Sequence, residues 1–196
     1  LIEKNEEAYR NVFTIHYPDE EREAARPLRQ APCYDRLKKL GGVFGHKFGW
    51  ERANWFAPKE IEQKDDWSFR RSKWFEHVGN ECLNVMNNVG ILDMTAFAKC
   101  RISGPGAKDF LDNLVSNKLP TKIGRVNLCH ALNTRGGVHS EFTIAKENDE
   151  SYYLVSAGAF QRLDHDWIKK WMPKDRSVFF ENLTNSIGVL VLAGPK

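Results

Sequence analysis

The residues from Leu132 to Ile144 place one carboxylate in a β-rich run that directly follows a pair of glycines. Gly136 and Gly137 fit a tight turn that needs a positive φ. The residues that alternate after the turn and predict a strand with one largely apolar face are Val138, Ser140, Phe142 and Ile144. Glu141 and Thr143 then share the opposite face, about 7 Å apart along the pleat, a spacing suited to one small polar ligand.

Glu141 is the strongest ionisable candidate for chemistry. In a partly apolar cleft its carboxylate either exchanges a proton with a ligand amine or stays charged and stabilises an iminium cation. The same pattern also fits the solvent-facing side of an ordinary edge strand. The residues alone leave these alternatives open.

Other polar residues give weaker signals. Ser156 with Asp164, His165 and Asp166 suggests a hydrolase, but the chain has no Gly-x-Ser-x-Gly motif and adjacent helical residues point apart. Asp93 ends a predicted strand, where it is expected to accept hydrogen bonds from a turn. Histidines are scattered along the chain and predict no shared site: His16, His46, His77, His130 and His139.

Composition excludes several classes of protein. The 196 residues are 41% hydrophobic, and 29 basic against 26 acidic residues leave a net charge of only +3. Such a balance gives no electrostatic case for nucleic-acid binding. No apolar run approaches the roughly 20 residues that cross a bilayer, so no membrane association is predicted.

The four cysteines lack the spacing of a metal site. We expect reduced thiols and a soluble protein, either cytoplasmic or, in a eukaryote, in the mitochondrial matrix. Both ends of the chain suggest cuts through a larger protein, because the first residue is not Met and a strand-like run, 187–194, comes directly before the last residues.

The predicted elements mix helices and strands without strict βαβ alternation, which favours an α+β fold. Helices are predicted from Pro32 to the Gly41-Gly42 stop, from Trp74 to Val89, after the Gly104-Pro-Gly106 turn, and from Phe160 to Trp171 with Leu163, Trp167 and Trp171 facing inward. Strands are predicted at 91–92, 97–102, 126–132, 138–145, 152–156, 178–180 and 188–192. Residues 1–30 are expected to form an edge or linker, and 44–74 an aromatic loop around a core.

Together these segments resemble the aminomethyltransferase family, the folate-binding fold of the glycine cleavage T-protein and of the C-terminal half of dimethylglycine and sarcosine dehydrogenases. The motifs that carry the resemblance are Arg29–Arg36, Gly90–Met94, Ile102–Ala107, Leu132-Asn133 with Gly136-Gly137, Tyr153–Ser156 and Leu192–Pro195. Three further segments are similar to segments of the dehydrogenase branch: Phe44–Arg52, Trp55-Phe56 and Ser72–Glu76.

The resemblance implies a domain division and a division of chemistry. Residues 1–30 are similar to the end of a flavoprotein's central domain or a linker, and 31–196 to the N-terminal portion of the tetrahydrofolate-binding domain, with mixed or antiparallel sheets and flanking helices. In that branch an FAD domain oxidises an N-methylglycine to an iminium, and the folate domain transfers the carbon to tetrahydrofolate. This chain carries no FAD fingerprint. FAD is therefore expected on an absent N-terminal part, and the chain alone is not expected to oxidise a substrate.

The resemblance also implies residue roles. Glu141 occupies the position of the family's Asp, which contacts the folate amine, and Thr143 that of a Thr that touches the pterin. Val155 and Ser156 belong to the segment that lines the folate site. Leu128 stands where the transferase often has a folate-contacting Tyr, and Ala157 where it has an Asn.

Two other functions are compatible with the sequence. One is a T-protein-like aminomethyltransferase or another folate-dependent demethylase, which predicts no upstream FAD domain. The other is a degenerate folate domain kept as a structural or binding module, motivated by the residues at 128, 141 and 157. The implied partners are a folate, the iminium derived from an N-methylglycine and the rest of the flavoprotein chain.

Overall fold

The computed structural model describes residues 1–196, which form two compact units. The first unit comprises residues 1–94 and 190–196, and the second comprises residues 95–189. The helices are α1 (Ile2–Arg10), α2 (Tyr34–Lys39), α3 (Trp74–Asn87), α4 (Ala107–Leu114) and α5 (Gln161–Trp171). None of these helices combines the length and the apolar composition that a bilayer crossing requires.

Nine strands form three antiparallel sheets. In chain order they are β1 (Gly42–Lys47), β2 (Trp50–Phe56), β3 (Gly90–Asp93), β4 (Ala98–Ser103), β5 (Val126–Leu132), β6 (Val138–Asn148), β7 (Ser151–Ser156), β8 (Phe179–Asn182) and β9 (Leu190–Ala193). In the first unit, β1 pairs with β2 and β3 pairs with β9. The second unit holds a five-stranded sheet in the order β5-β6-β7-β4-β8.

The core of the second unit lies between one face of this sheet and its helices. Alternate residues of each strand point to this face, as the period of two requires. The buried sheet and helix residues that form the core include Cys100, Ile102, Phe110, Leu111, Cys129, Phe142, Ile144, Tyr152, Leu154 and Ile168. The other face of the sheet therefore carries the alternate residues of the same strands.

Most predicted elements are confirmed. The β5 strand has the predicted bounds, while β6 and β7 extend them by three residues and one residue. Helix α2 ends before Gly41, whose φ of +95° is the left-handed conformation of a glycine stop. Helix α4 buries the predicted stripe of Ala107, Phe110, Leu111 and Leu114. The predicted α+β class, with antiparallel sheets and flanking helices, is confirmed.

One prediction for the first unit is wrong. The segment predicted to be an aromatic loop contains the β1–β2 hairpin, which buries Val43 and Trp55 against partly buried Trp74 and Val78 of α3. Aromatic residues at both pleat positions conceal the strand period there. The segment predicted as an edge or linker contains the helix α1, which buries none of its residues.

The predicted inward face of α5 is only partly correct. Trp167 packs against the core, as predicted, but Leu163 and Trp171 are each 47% exposed, whereas Asp164, His165 and Ile168 are buried. The buried face of the helix therefore includes two polar residues. At the start of β6, Val138 is 64% exposed because a register shift next to Leu132 removes it from the apolar row that contains Ser140, Phe142 and Ile144.

Candidate functional site

The glycine turn orders the hairpin that carries the candidate carboxylate. Gly136 has a φ of +80°, as predicted, whereas Gly137 has no positive φ. The side-chain Oδ1 of Asn133 accepts hydrogen bonds from the backbone N–H groups of Arg135 and Gly137 at 2.9 and 3.1 Å. This Asx-type turn defines the start of β6 and hence the face on which Glu141 emerges.

Glu141 and Thr143 lie on the face opposite the core, as predicted. Both are exposed, whereas Ser140, Phe142 and Ile144 between and beside them are buried. Across the sheet, Thr143 pairs with Leu128 of β5 on one side and with Val155 of β7 on the other. The hydroxyl of Thr143 thus lies in a row between the aliphatic side chains of Leu128 and Val155. The carboxylate of Glu141 is two residues away along β6.

Glu141 has a partner that the pattern of its own strand does not reveal. His130 of β5 is its cross-strand neighbour, and the Nε2 atom of the imidazole lies 3.0 Å from Oε2 of Glu141. The side chain of His130 is 31% exposed and that of Glu141 is 61% exposed. The pair is therefore accessible to a ligand from solvent.

A loop residue holds the other side of the same imidazole. Oδ1 of Asn117 accepts the backbone N–H of His130 at 2.8 Å and lies 3.3 Å from Nδ1 of its ring. The hydroxyl of Ser116 donates to the carbonyl of His130 at 3.1 Å. The loop after α4 and the strand β5 thus orient the histidine towards Glu141.

The remaining predicted site residues lie at the edge of this arrangement. Ser156 is 8% exposed and its side chain points to the core face. Only the backbone of Ser156 is therefore next to the row that contains Val155. Ala157 is exposed and begins the 3₁₀ turn Gly158–Phe160. The structure therefore brings Leu128, Glu141, Thr143 and Val155 together on one face and leaves the side chain of Ser156 on the other.

An ion-pair network lies further along the same face. Arg101 of β4 donates to Glu147 at 2.7 and 3.0 Å and to Glu181 at 2.8 Å. The guanidinium lowers the pKa of the Glu147 carboxyl, and these carboxylates raise the pKa of Arg101. Because every charge in this network has a partner, we assign it a structural role.

The acidic and histidine residues of α5 do not converge on a site with Ser156. Asp164 and His165 are buried, and the side chain of Asp166 is 69% exposed. Burial lowers the pKa of His165, and the nearby Lys169 ammonium lowers it further. The neutral imidazole packs edge-on against Phe180, with ring centroids 4.9 Å apart.

Neither His130 nor Asn117 is singled out by the sequence pattern. The hairpin register carries a signal for His130. When Leu128 pairs with Thr143, the residues two positions nearer the turn on each strand, His130 and Glu141, also pair. A register shift lies next to the turn, between Ala131 and Leu132. Counting strand positions outward from the glycines therefore gives the wrong partner for Glu141. Asn117 comes from a loop, for which no comparable periodicity exists.

Helices on one face of an antiparallel sheet, with a carboxylate and a hydroxyl exposed on the other, define an α+β domain. The chain belongs to the family described as the GCVT N-terminal domain, whose model matches residues 33–196. Residues 1–31 match the model of the FAD dependent oxidoreductase central domain.

Similar proteins include mitochondrial dimethylglycine dehydrogenase from Mus musculus, 34% identical over 193 residues that cover 98% of this chain. The mouse mitochondrial pyruvate dehydrogenase phosphatase regulatory subunit is 29% identical over 192 residues, 94% of this chain. The chain spans 22% of the length of each of these relatives.

The fold is also that of a solved structure. Glycine cleavage system aminomethyltransferase T from Bartonella henselae superimposes with a TM-score of 0.66 over 86% of this chain and 41% of that chain, at 20% sequence identity. This likeness confirms the predicted fold of the aminomethyltransferase type.

Proposed function

We propose that this chain is the folate-binding, one-carbon-transfer portion of a dimethylglycine or sarcosine dehydrogenase-like flavoprotein. The observation that carries the proposal is the exposed row in which Thr143 lies between Leu128 and Val155, next to the carboxylate of Glu141. The domain division of the proposal is 1–30 for the end of the flavoprotein's central domain and 31–196 for the folate domain. Membership in the GCVT family and similarity to dimethylglycine dehydrogenase support it.

The side chains of the row fit tetrahydrofolate chemically. A reduced pterin presents flat apolar faces and an edge of N–H donors, for which aliphatic side chains and a carboxylate are complementary partners. Leu128 and Val155 supply the aliphatic contacts, Thr143 contacts the pterin edge, and Ser156 and Ala157 contribute backbone at the end of β7. When bound, tetrahydrofolate supplies the amine that accepts the one-carbon unit.

In this proposal Glu141 handles the proton of the folate amine and stabilises the iminium derived from the N-methylglycine. An FAD domain elsewhere in the flavoprotein performs the oxidation, so the chain alone is not an active oxidoreductase. The mitochondrial location of the mouse dimethylglycine dehydrogenase supports a matrix location for a eukaryotic protein with this chain.

The test uses Glu141→Gln in the full-length natural protein, with dimethylglycine or sarcosine as substrate. Loss of a charge-assisted hydrogen bond is expected to weaken tetrahydrofolate binding by about tenfold and to divert the carbon to free formaldehyde. Glu150→Gln is the matched control, because Glu150 lies in the β6–β7 turn and the same charge is removed there. Equal folate affinity and equal carbon transfer in the two variants would contradict the role of Glu141.

A structural or regulatory module is the second candidate. One similar protein is named a regulatory subunit, and Leu128 and Ala157 replace polar residues of the transferase pattern. If the full-length natural protein oxidises its substrate but transfers no carbon to tetrahydrofolate and does not bind it, the module is the correct function.

A further inference from the structure

The imidazole of His130 is held between two oxygen atoms on opposite sides of its ring. Nδ1 lies 3.3 Å from Oδ1 of Asn117, and Nε2 lies 3.0 Å from Oε2 of Glu141. Neither oxygen belongs to the core, and all three side chains are at the surface of the second unit. The arrangement therefore constrains the orientation of the histidine ring.

The orientation of Asn117 fixes which of its side-chain atoms faces the histidine. The backbone N–H of His130 can only donate, so the atom that it meets at 2.8 Å is the amide oxygen of Asn117. The same oxygen lies 3.3 Å from Nδ1, which leaves Nε2 as the nitrogen that faces the carboxylate.

We propose that His130 is a positioning residue that holds Glu141 through a hydrogen bond between Nε2 and Oε2, with Asn117 orienting the ring. The 3.0 Å separation of these two atoms is that of a hydrogen bond, whereas two bare lone pairs would repel each other at that distance. Oε1 of Glu141 is then the oxygen left to accept an N–H from a ligand. That last step rests on the proposed folate function, whereas the His130–Glu141 pair does not.

The first experiment measures the pair without any ligand. Diethyl pyrocarbonate acylates unprotonated imidazole nitrogens, and peptide mass spectrometry of the full-length natural protein gives the rate at each histidine. His130 is expected to react about threefold to fivefold faster in Glu141→Leu than in the unaltered protein, the factor for loss of an exposed ion pair. Glu141→Gln, which keeps a hydrogen-bonding group, is expected to react at an intermediate rate.

His16 is the internal control, because it lies in the first unit, where Nη2 of Arg22 is 2.8 Å from its Nδ1. Its rate is expected to be the same in all variants, and an equally low rate at the buried His165 shows that the second unit is folded in each of them. Equal acylation of His130 in the unaltered protein and in Glu141→Leu would overturn the proposal.

The second experiment tests positioning by rescue. In the full-length natural protein, His130→Leu is expected to weaken tetrahydrofolate binding about threefold to fivefold, and His130→Gln to restore most of it because the amide N–H again donates to Glu141. His16→Gln is the control for removal of a histidine. Equal affinities of the Leu and Gln variants would overturn the positioning role.

If the unaltered protein binds no tetrahydrofolate, the proposed function fails. The acylation rates then still decide whether Glu141 and His130 are hydrogen-bonded.

Discussion

The environment of single residues separates the cysteines of this chain into reactive and inert thiols. Cys100 lies in the core of the second unit at 3% exposure, whereas Cys82 is exposed on α3. Burial raises the pKa of the Cys100 thiol to about 12, and the neighbouring negative charge of Asp164 contributes in the same direction. Since the thiolate is the nucleophile, Cys100 is inert in the folded protein.

Alkylation with iodoacetamide at pH 8 is expected to modify Cys82 and leave Cys100 unmodified until the protein is denatured. Peptide mass spectrometry before and after addition of guanidinium measures both sites. Cys82→Ser is the control that removes the reactive site without touching the core. Rapid modification of Cys100 in the native protein would contradict the assigned burial.

The raised pKa of the Cys100 thiol also makes the stability of the fold depend on pH. The contribution of the protonated thiol to stability is fully present below the thiol pKa of the unfolded chain, about 9. It is lost as pH rises towards 12, because the unfolded chain releases the proton first. Hydrogen exchange of the β4 peptide is therefore expected to accelerate above pH 9 beyond its intrinsic dependence on pH. Cys100→Ala, which has no proton to release, is expected to lose that extra acceleration.

At the scale of elements, two glycines illustrate opposite uses of the same residue. Gly136 has a φ of +80° in the hairpin turn, and a Cβ added there would meet nothing within 4 Å. Gly79 lies inside α3, and a Cβ there would also meet nothing within 4 Å. Any effect of a methyl group at either position therefore comes from the backbone and not from a clash.

Gly136→Ala is expected to destabilise the β5–β6 hairpin by about 1 kcal/mol, because an L-residue disfavours the left-handed conformation. Gly79→Ala is the matched control and is expected to stabilise α3 by about 0.5–1 kcal/mol, since glycine is a poor helix former. Hydrogen exchange of the two peptides measures both changes. A hairpin unaffected by Gly136→Ala would show that the turn does not require the glycine.

At the scale of the whole molecule, the second unit contains two groups that make it sensitive to acid. Burial lowers the pKa of His165 below its usual 6.5, and Arg101 lowers the pKa of Glu147 below its usual 4.5. In both cases the unfolded chain takes up the proton first as pH falls. The stability of the unit is therefore expected to fall below pH 6.5 and to fall again below pH 4.5.

Global hydrogen exchange of residues 95–189 between about pH 7 and about pH 3 tests this expectation after correction for intrinsic rates. His165→Leu is expected to remove the decline that begins near pH 6.5, and Glu147→Gln the decline at lower pH. A decline near pH 6.5 that persists in His165→Leu would assign it to another group. His46→Gln, in the first unit, is the control for loss of a histidine.

The sequence by itself determined what local patterns encode. The alternation along 140–144 and the glycine at 136 are sufficient to predict the hairpin and the outward direction of Glu141 and Thr143, because the strand period and a positive φ depend only on neighbouring residues. The family motifs likewise identify the α+β fold. These features depend on short stretches of chain, and the structure confirms them.

Only the tertiary structure decided which distant residues meet. The contacts of His130 with Glu141 and with Asn117 depend on strand register and on a loop, and the inward face of α5 depends on the sheet it packs against. The β1–β2 hairpin is concealed by aromatic residues on both of its faces. In each case the free energy comes from burial and pairing between separate segments, which the periodicity of one segment does not record.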